Sequence, residues 1–402
     1  MAGEWPARQL EEIAELSGGF AFKSEDYSSE GRFVLRTLNI EDDGSIHRDA
    51  AVFLPLEKCD TYKRFELQEH DTLFVMVGAT LGKVGYIRRE TLPALLNQNM
   101  WRIRGRDGLC DKRYLQYAFR HTVAKNLGWA SGSARDFVRR DDYRTMEIPF
   151  PPLTEQKAIA AVLGALDDKI ELNRRMNATL EAMARALFQD WMKSNANDLE
   201  PRTAEDLIAK GFLVVGDGYR ANNSELSNDG LPFIRAGNLM SDGLDLACAE
   251  ILSAESVIAA RHKIGAEGDV CFTSKGTVGR ITRVCSNTGA FVYSPQVCFW
   301  RTASRENLDP HVLYQWMKNG DFMRQVNLVS TQTDMAPYVS LHDQRRMVIK
   351  LPPPPEQRNF AKQLEPIDGR ISANSAQSRT LATLRDTLLP KLLSGQISAS
   401  KS

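Results

Sequence analysis

The sequence predicts a mixed α/β fold of the α+β type: two similar globular domains separated by two long helices that pair antiparallel as a coiled coil. Three observations predict it. The 402-residue chain repeats its own pattern at a distance of about 200 positions. A pair of prolines precedes a long helical segment in each copy. Apolar residues in both helical segments recur in alternating steps of four and three, which is typical of a coiled-coil seam.

The internal repeat sets the order of the domains. FVLRTLNI at 33–40 recurs as FIRAGNL at 233–239, and the segments 148–173 and 349–374 match at a constant offset of 201 residues. A period near 200 residues is far too long for a solenoid, so it indicates a duplicated unit of one globule and one helix, with a pseudo-twofold relation between the copies. The predicted segments are a first domain at 1–150, a central helix at 151–195, a second domain at 196–350 and a C-terminal helix at 351–402.

Each globule is expected to combine short strands with one helical stretch. Runs rich in β-branched and aromatic residues, punctuated by Gly and Asn, predict strands in both domains. In the first domain the strands fall at 33–38, 72–77, 84–88 and 98–104. In the second domain they fall at 231–236, 269–273, 280–284 and 297–301. Helical stretches follow near 111–127 and 309–326, and one more strand precedes each pair of prolines.

The two long helices carry the strongest periodic signal. The seam of the first begins at Ile159 and ends at Trp191, and that of the second runs from Phe360 to Leu392. Each helix would have about forty residues and a length of about 60 Å at 1.5 Å per residue. The second segment also contains Pro366, Gly369 and Pro390. Because proline disrupts a helix interior, the second helix is expected to kink or to start late.

Polar residues in the middle of both seams suggest how the helices pair. A register in which paired residue numbers sum to 551 sets Asn177 opposite Asn374, Asn173 opposite Ser378 and Leu163 opposite Leu388. A buried Asn that can bond only one partner fixes such a register at some cost in stability. The residues expected to pair the helices are Leu163, Ile170, Asn173, Asn177, Leu180, Ile371, Asn374, Ser378, Leu381 and Leu388. The alternative is that each helix packs on its own globule.

Charge is unevenly placed, although the chain has 51 basic and 51 acidic residues. Residues 1–82 hold 8 Lys and Arg against 16 Asp and Glu, a net of −8, and residues 83–144 hold 14 against 6, a net of +8. Residues 200–260 hold 4 against 10, a net of −6, and residues 261–350 hold 12 against 7, a net of +5. This repeated shift predicts a positive face on each domain, for which phosphate backbones are the usual partner. The alternative is charge that only solvates the surface.

Composition argues against several classes of protein. With 43% hydrophobic residues and 25% charged residues, the chain is too apolar and too evenly charged to be disordered. It has no run of eighteen apolar residues and no apolar secretory core in MAGEWPARQLEEIAEL, so we expect no membrane span and a cytoplasmic location. The six cysteines lack metal or redox spacing, which favours free thiols in a reducing compartment.

The sequence contains no recognisable catalytic motif. GATLGKVG at 78–85 has three residues between its glycines rather than four, and Val follows the Lys, so it is not a phosphate-binding loop. The six histidines show no metal-ligand spacing. The chain has no G-x-S-x-G and no Asn- or Asp-Pro-Pro-aromatic tetrapeptide of the kind adenine methyltransferases use. We therefore expect no catalytic residue and no metal site in this chain.

Two turns and two loops are candidates for contact with a nucleic acid. Lys83 and its counterpart Arg280 lie in Gly-rich turns between predicted strands, where they either stabilise the turn or contact phosphate. SGSARDF at 131–137 and STQTDMAPY at 330–338 occupy matching places and are rich in small polar residues that donate to phosphates or base edges. The alternative for both is an ordinary solvated loop. The matched pairs Arg36 with Asn39 and Arg235 with Asn238 could equally be internal, each bonding a turn.

Taken together, the duplicated arrangement and the phrases PPLTEQKAIAAVLGALDDKIELN, PPPPEQ and LRDTLLPKLLSGQI resemble the specificity (S) subunit of type I restriction–modification systems. The resemblance covers nearly the whole chain. It implies two target-recognition domains, held apart by two antiparallel helices, that each read one half of an asymmetric two-part site in double-stranded DNA. The helices would act as a ruler for the unread spacer.

The resemblance also implies partners. Two methylation subunits, which bind S-adenosylmethionine, would dock on the helices and flip and methylate an adenine in each half-site, and restriction subunits that use ATP and Mg could join the complex. The chain itself would be non-catalytic and hold no cofactor. The remaining alternatives are a recognition subunit of a modification-only or other defence complex, and a protein-interaction scaffold.

Because recognition loops differ most within such a family, the candidate DNA contacts rest on residue type and position. In the first domain they are Lys23, Arg36, Lys83, Asn97, Gln98, Ser133 and Arg135. In the second domain they are Arg235, Lys275, Arg280, Gln296, Thr331, Gln332 and Thr333. The two domains begin differently and carry different loops, so they are expected to read different half-sites.

Overall fold

The internal repeat of the sequence returns as two units built on the same plan. In this computed structural model, unit 1 comprises residues 1–168 and 381–402, and unit 2 comprises residues 169–380. The structure describes residues 5–41, 43–77, 80–127, 143–240, 243–330 and 337–400. Each unit therefore contains a globule together with segments of both long helices.

A four-stranded antiparallel sheet organises unit 1, with strand order β2-β8-β5-β6. A second sheet, β4-β3-β7, pairs β3 antiparallel with β4 and parallel with β7, and β1 pairs with β9. The strands are β1 (Ala7–Gln9), β2 (Ala14–Gly18), β3 (Arg32–Leu35), β4 (Val52–Leu54), β5 (Thr72–Val75), β6 (Val84–Tyr86), β7 (Ala94–Leu96), β8 (Met100–Gly105) and β9 (Glu147–Pro149). The helices are α1 (Leu10–Ile13), α2 (Leu56–Cys59) and α3 (Lys112–Leu127).

The core of unit 1 forms where α3 covers the four-stranded sheet. Phe74 on β5 is fully buried, and its ring lies 5.4 Å from that of Phe119 on α3 and 4.4 Å from that of Tyr143. Burying one such side chain stabilises a fold by about 1.5–3 kcal/mol. The helix begins where the Asp111 carboxylate accepts a hydrogen bond from the backbone N–H of Tyr114, which supplies one of the partners a helix N-terminus lacks.

Unit 2 repeats the sheet with strand order β11-β20-β17-β18, beside a second sheet, β12-β16-β13-β19, and the pairs β10-β21 and β14-β15. Its helices are α5 (Ala204–Ala209), α6 (Ala254–Ala259), α7 (Pro310–Met317), α8 (Gly320–Ser330) and α9 (Leu341–Arg346). Its strands are β10 (Glu200–Thr203), β11 (Leu213–Gly216), β12 (Leu226–Ser227), β13 (Gly230–Ile234), β14 (Leu239–Met240), β15 (Gly243–Leu244), β16 (Glu250–Ser253), β17 (Val270–Thr273), β18 (Ile281–Arg283), β19 (Val292–Tyr293), β20 (Val297–Thr302) and β21 (Val348–Leu351). The helical stretch predicted near 309–326 is divided, because α7 ends at Met317 and α8 begins at Gly320.

The long helices are α4 (Leu153–Ser194) and α10 (Pro354–Leu393), which lie where the sequence predicts them. Of the two alternatives expected for the second helix, a kink or a late start, the late start is wrong, since α10 begins at Pro354, and the helix continues through Pro366. A proline inside a helix costs about 3 kcal/mol. Burial of Leu364 and Ile367 on either side of Pro366 contributes about 1.5–3 kcal/mol each, which offsets that cost.

In unit 2 the two long helices contact each other through polar residues. Asn374 donates from Nδ2 to Oδ1 of Asn177 at 2.8 Å, and Asn173 donates to Oγ of Ser378 at 3.2 Å. Asn173, Asn177 and Asn374 are almost completely buried. Both contacts follow the antiparallel register whose residue numbers sum to 551. Leu180 and Ile371, which the same register pairs, pack against the hydrophobic core of unit 2.

In unit 1 the helix segments meet through apolar packing and one ion pair. Leu388 packs against the cluster that contains the fully buried Leu163, in the same register. The Arg385 guanidinium lies 2.7 Å from the Asp167 carboxylate. Ile170 and Leu381, the remaining predicted pairing residues, are half-buried. The helices thus pair as well as covering their globules, as the fold class requires.

Candidate nucleic-acid interface

At one end of the unit 1 sheet, two connections lie side by side: the turn from β5 to β6 and the residues before β8. The backbone N–H of Met76 donates to the Asn99 carbonyl at 2.9 Å, and that of Gln98 donates to the Phe20 carbonyl at 2.8 Å. Gln98 and Asn99 are exposed there. The hydrogen bonds therefore bring residues from three separate stretches of chain to one edge.

Unit 2 forms the same edge with different residues. The backbone N–H of Ser274, at the start of the β17–β18 turn, donates to the Gln296 carbonyl at 3.0 Å. The Ser274 carbonyl in turn accepts from the N–H of Val339 at 2.9 Å, and Lys275 forms an isolated β-bridge with Tyr338. The predicted contact residues Lys275 and Gln296 are thus neighbours at this edge.

Both edges depend on a glycine at the end of the first strand of the sheet. A Cβ added to Gly19 would lie 1.8 Å from the Asn97 carbonyl oxygen, and one added to Gly218 would lie 2.2 Å from the Ser294 carbonyl oxygen. No side chain fits at such distances, so glycine is required for the close approach of the two backbones. Asn97 itself is buried and donates from Nδ2 to the Tyr27 hydroxyl at 3.1 Å.

The basic residues of the two turns bond to the protein itself. Lys83 donates from Nζ to the Ile40 carbonyl at 3.1 Å. Its counterpart Arg280 donates from Nη1 to the carbonyls of Ala236 and Leu239 at 3.5 Å each. These bonds fit the structural alternative for both residues, and their contact with DNA stays a prediction.

The matched Arg and Asn residues form a local motif in each unit. The side chain of Asn39 accepts from the backbone N–H of Arg36 at 3.0 Å, and that of Asn238 accepts from the N–H of Arg235 at 2.9 Å. The Arg36 guanidinium donates to the Ala50 carbonyl at 2.5 Å. Each pair starts a short 3₁₀ helix after a strand of the second sheet, which fits the internal alternative.

The remaining candidates are dispersed. Lys23 is exposed and lies 3.3 Å from Glu25. The guanidinium of Arg235 pairs with Glu250 and lies over the Phe233 ring at 5.3 Å. Outside the described residues lie Ser133, Arg135, Thr331, Gln332 and Thr333.

Three exposed or half-exposed residues at these edges escaped the sequence reasoning: Asn99, Arg220 and Tyr338. Asn99 occupies in unit 1 the place that Gln296 holds in unit 2, since both precede the strand that pairs with the turn. Only the strand register reveals this match. Arg220 lies two residues after Gly218, and the internal repeat aligns it with Ala21. Because Ala21 is not basic, an alignment of the two copies does not point to Arg220.

At the opposite end of the same strands from each edge, a buried carboxylate ties two strands of the sheet together. Arg104 on β8 bonds Asp71 through Nε at 2.6 Å and through Nη2 at 2.7 Å. Arg301 on β20 bonds Asp269 at the same two distances. Hydrogen bonding to Asp71 raises the pKa of Arg104, and hydrogen bonding to Asp269 raises that of Arg301. The two pairs hold their guanidinium groups inside the fold, so these arginines are fixed as framework residues.

Among the described residues, no cluster of His, Cys, Asp and Glu could hold a metal ion. No helix in the described part of the chain is both long and apolar enough to cross a membrane. The six cysteines are unpaired thiols, of which Cys59, Cys110, Cys271 and Cys298 are buried.

Comparison with known proteins identifies relatives of one kind. Residues 2–182 match the family profile of the type I restriction modification DNA specificity domain. The chain is 27% identical over 335 residues to the MjaIX specificity subunit of a type I restriction enzyme from Methanocaldococcus jannaschii, covering 78% of this chain and 75% of that protein. It is 20% identical over 441 residues to the EcoBI specificity subunit from Escherichia coli, covering 98% and 86% of the two chains.

The fold also occurs in a solved structure. The crystal structure of the S subunit of a type I restriction–modification system from M. genitalium superposes with a TM-score of 0.54 at 18% identity and covers 96% of both chains. This likeness confirms the predicted fold class of two domains joined by paired helices.

Proposed function

We propose that the chain is a DNA sequence-recognition subunit of a type I restriction–modification system, like the specificity subunits it resembles, and that each of its two units reads one half of an asymmetric two-part target. One observation carries the proposal. The same sheet edge occurs twice, with the same glycine approach, and the same Asp–Arg pair holds the other end of the sheet, yet the edge presents different side chains in the two units. Two copies of one framework with different exposed residues are suited to two different half-sites.

The chemistry of the reaction belongs to other chains in this proposal. Specificity subunits of this family are generally non-catalytic. We propose that two methylation subunits bind S-adenosylmethionine and modify an adenine in each half-site, and that restriction subunits with ATP and Mg complete the complex in the cytoplasm. This chain would then supply the contacts that position those partners on the DNA.

A methylation assay tests the proposal directly. A host without its own methyltransferases would carry this gene together with its neighbouring methyltransferase gene, and long-read sequencing would map N6-methyladenine. The expected result is new methylation confined to one two-part asymmetric motif. Replacement of residues 1–150 by those of another specificity subunit should change one half of that motif only. A host that carries the methyltransferase gene alone is the control.

The opposite outcome is equally clear. A complex that purifies intact but adds no methylation at any two-part motif would contradict DNA reading and would leave the protein-interaction scaffold as the better description. Methylation with no restriction of unmodified phage DNA would instead favour a modification-only complex, which changes the proposed partners and leaves the reading function in place.

The paired helices are proposed to set the spacer between the half-sites. Inserting seven residues into both α4 and α10 keeps the coiled-coil seam in phase and lengthens each helix by about 10 Å. At about 3.4 Å per base pair, the methylated motif should gain a spacer about three base pairs longer. An insertion in α4 alone breaks the helix pairing and serves as the matched control. An unchanged spacer in the double insertion would contradict the proposal that the paired helices set the spacer length.

A further inference from the structure

Lys275 and Tyr338 form a contact pair at the edge of unit 2, although they are 63 positions apart in the sequence. The Lys275 ammonium lies over the Tyr338 ring at 4.7 Å from its centroid, and Tyr338 is 44% exposed. An ammonium over an aromatic face is attracted by the ring quadrupole, most strongly when it is partly removed from water. The ring therefore restricts a lysine side chain that would otherwise sample many rotamers.

The backbone around this pair is held on both sides. Val339 donates its N–H to the Ser274 carbonyl at 2.9 Å, and Gly276 donates to the Pro337 carbonyl at 3.3 Å. These two bonds flank the Lys275–Tyr338 bridge. Both side chains consequently leave a fixed backbone and point from neighbouring chain segments toward the same space.

A buried network beneath the pair supports that backbone. Gln344 on α9 is completely buried, accepts from the Trp300 indole N–H at 2.9 Å and donates to the Val339 carbonyl at 3.3 Å. It also donates to Sγ of Cys298, which in turn donates to Oγ of Ser274 at 3.3 Å. One glutamine thus links the sheet core to both residues that flank the pair, and buried polar groups satisfied in this way favour a single arrangement.

The surroundings of the pair carry both signs of charge. Burial raises the pKa of Tyr338, Asp217 and Asp343 raise it further, and the positive charge of Arg220 acts against that rise, which places all three side chains within electrostatic range of the hydroxyl. The tyrosine therefore stays neutral near pH 7 and keeps its hydroxyl as a donor. At the position of Lys275, unit 1 has Val77, so the pair belongs to unit 2 alone.

We infer that Lys275 contacts a backbone phosphate next to the second half-site, and that Tyr338 is the positioning residue that orients its ammonium. The inference rests on the proposed DNA-reading function and adds to it a named contact and its support. A lysine on a phosphate contributes affinity and register without reading sequence. It should therefore act on every duplex, whichever bases the half-site contains.

The experiment uses the assembled complex and measures DNA affinity from 50 to 200 mM salt. Lys275→Gln should weaken binding about fivefold and lower the slope of log affinity against log salt by about 1, because one phosphate contact is lost. Tyr338→Leu should weaken binding nearly as much, whereas Tyr338→Phe keeps the ring and should bind like the wild type. The double variant Lys275→Gln/Tyr338→Leu should be no weaker than Lys275→Gln, since the two residues act through one contact.

Lys210→Gln is the matched charge control, because Lys210 is an exposed lysine at the opposite end of β11 from Arg220. An unchanged salt slope in Lys275→Gln, additive losses in the double variant, or a Tyr338→Phe loss equal to that of Tyr338→Leu would each overturn the inference. Failure of the proposed function looks different: the wild-type complex would bind its motif and a scrambled duplex equally well. The slope test still decides on the phosphate contact in that case, since it needs no specific sequence.

Discussion

The two sheet edges have the same framework but differ in what they expose. In unit 1 the β5–β6 turn presents Val77 and Leu81, which are 47% and 38% exposed. In unit 2 the equivalent turn presents Lys275, whose ammonium lies over the Tyr338 ring. Apolar side chains suit thymine methyl groups, and a fixed cation suits phosphate or an acceptor-rich base edge. The duplication therefore teaches that the buried residues keep one geometry while the residues presented at the edge differ, as the proposed reading of two different half-sites requires.

The contacts from globule to helix differ in the same way. In unit 1, Arg113 bonds Asp168 on α4 at 3.0 Å and at 2.5 Å. In unit 2, the carboxylate of Asp368 on α10 is buried against Arg283, at 2.8 Å, and His311. Each globule thus anchors its helix by a carboxylate near the same point of the repeat, with a different set of basic side chains.

The largest expected effect tests whether the frameworks are equivalent. Asp71→Ala and Asp269→Ala each leave a guanidinium without its buried partner, and breaking such a pair costs about 3–5 kcal/mol. Hydrogen exchange of peptides that cover β5 and β8, or β17 and β20, should show the loss in the unit that carries the change. Asp60→Ala, which removes an exposed carboxylate paired with Lys63, is the control. The comparison would be broken if only one of the two variants lost protection in its own unit.

A smaller effect is expected at the helix contact of unit 2. Asn374→Leu removes the donor to Asn177 and leaves a buried carbonyl oxygen without that bond, at a cost of about 1–3 kcal/mol. The double variant Asn177→Leu/Asn374→Leu should recover much of the loss. Urea unfolding of the full chain measures both, with Leu172→Ala on the exposed side of α4 as the control. Additive losses in the double variant would show that the two asparagines do not act as a pair.

One substitution can make the β5–β6 turn of unit 1 resemble the β17–β18 turn of unit 2. Val77→Lys places a cation where unit 2 has Lys275, and one added phosphate contact should steepen the salt dependence of binding by about 0.9 in the slope. Affinity of the complex measured at several salt concentrations checks this result. Val77→Gln is the uncharged control. An unchanged slope would show that this turn of unit 1 does not face the DNA backbone.

The smallest expected effect is on the pH dependence of the free energy of unfolding of unit 1. Burial lowers the pKa of His70 and of His121, both in unit 1. Below pH about 6.5 the unfolded chain binds protons that the folded unit excludes, so the free energy of unfolding should fall as pH decreases. The variant His70→Gln/His121→Gln should lose stability less steeply between pH 7 and pH 5.5 in thermal melts. A pH dependence as steep as that of the wild type would contradict this assignment.

Much of the architecture was predictable because its signals are local or repeated. The seam spacing predicts α4 and α10, and the offset of 201 residues predicts that unit 2 repeats unit 1. The polar residues in mid-seam predict the contact between Asn177 and Asn374, since a buried amide needs a hydrogen-bond partner. The break between α7 and α8 was not predictable, because the apolar pattern continues through Lys318 and Asn319.

The candidate site was predictable only in part. Lys275 and Gln296 were found as repeats of loop positions, but Tyr338 was missed, because nothing in the sequence places it over a lysine 63 residues earlier. Lys83 and Arg280 look like free cations in the sequence, and only the tertiary structure shows the carbonyls they bond.

The sequence by itself determined the duplicated plan, the long helices and their register, since periodicity and offset are properties of the chain that survive without any contact being known. The tertiary structure decided which polar residues are exposed and which form hydrogen bonds or ion pairs inside the fold. It also decided that α10 continues through Pro366, because the free energy of burying Leu364 and Ile367 comes from residues distant in sequence. Such long-range terms are absent from any local pattern, and they distinguish Arg104 and Arg301, which bond buried carboxylates, from Lys275, which lies over the ring of Tyr338.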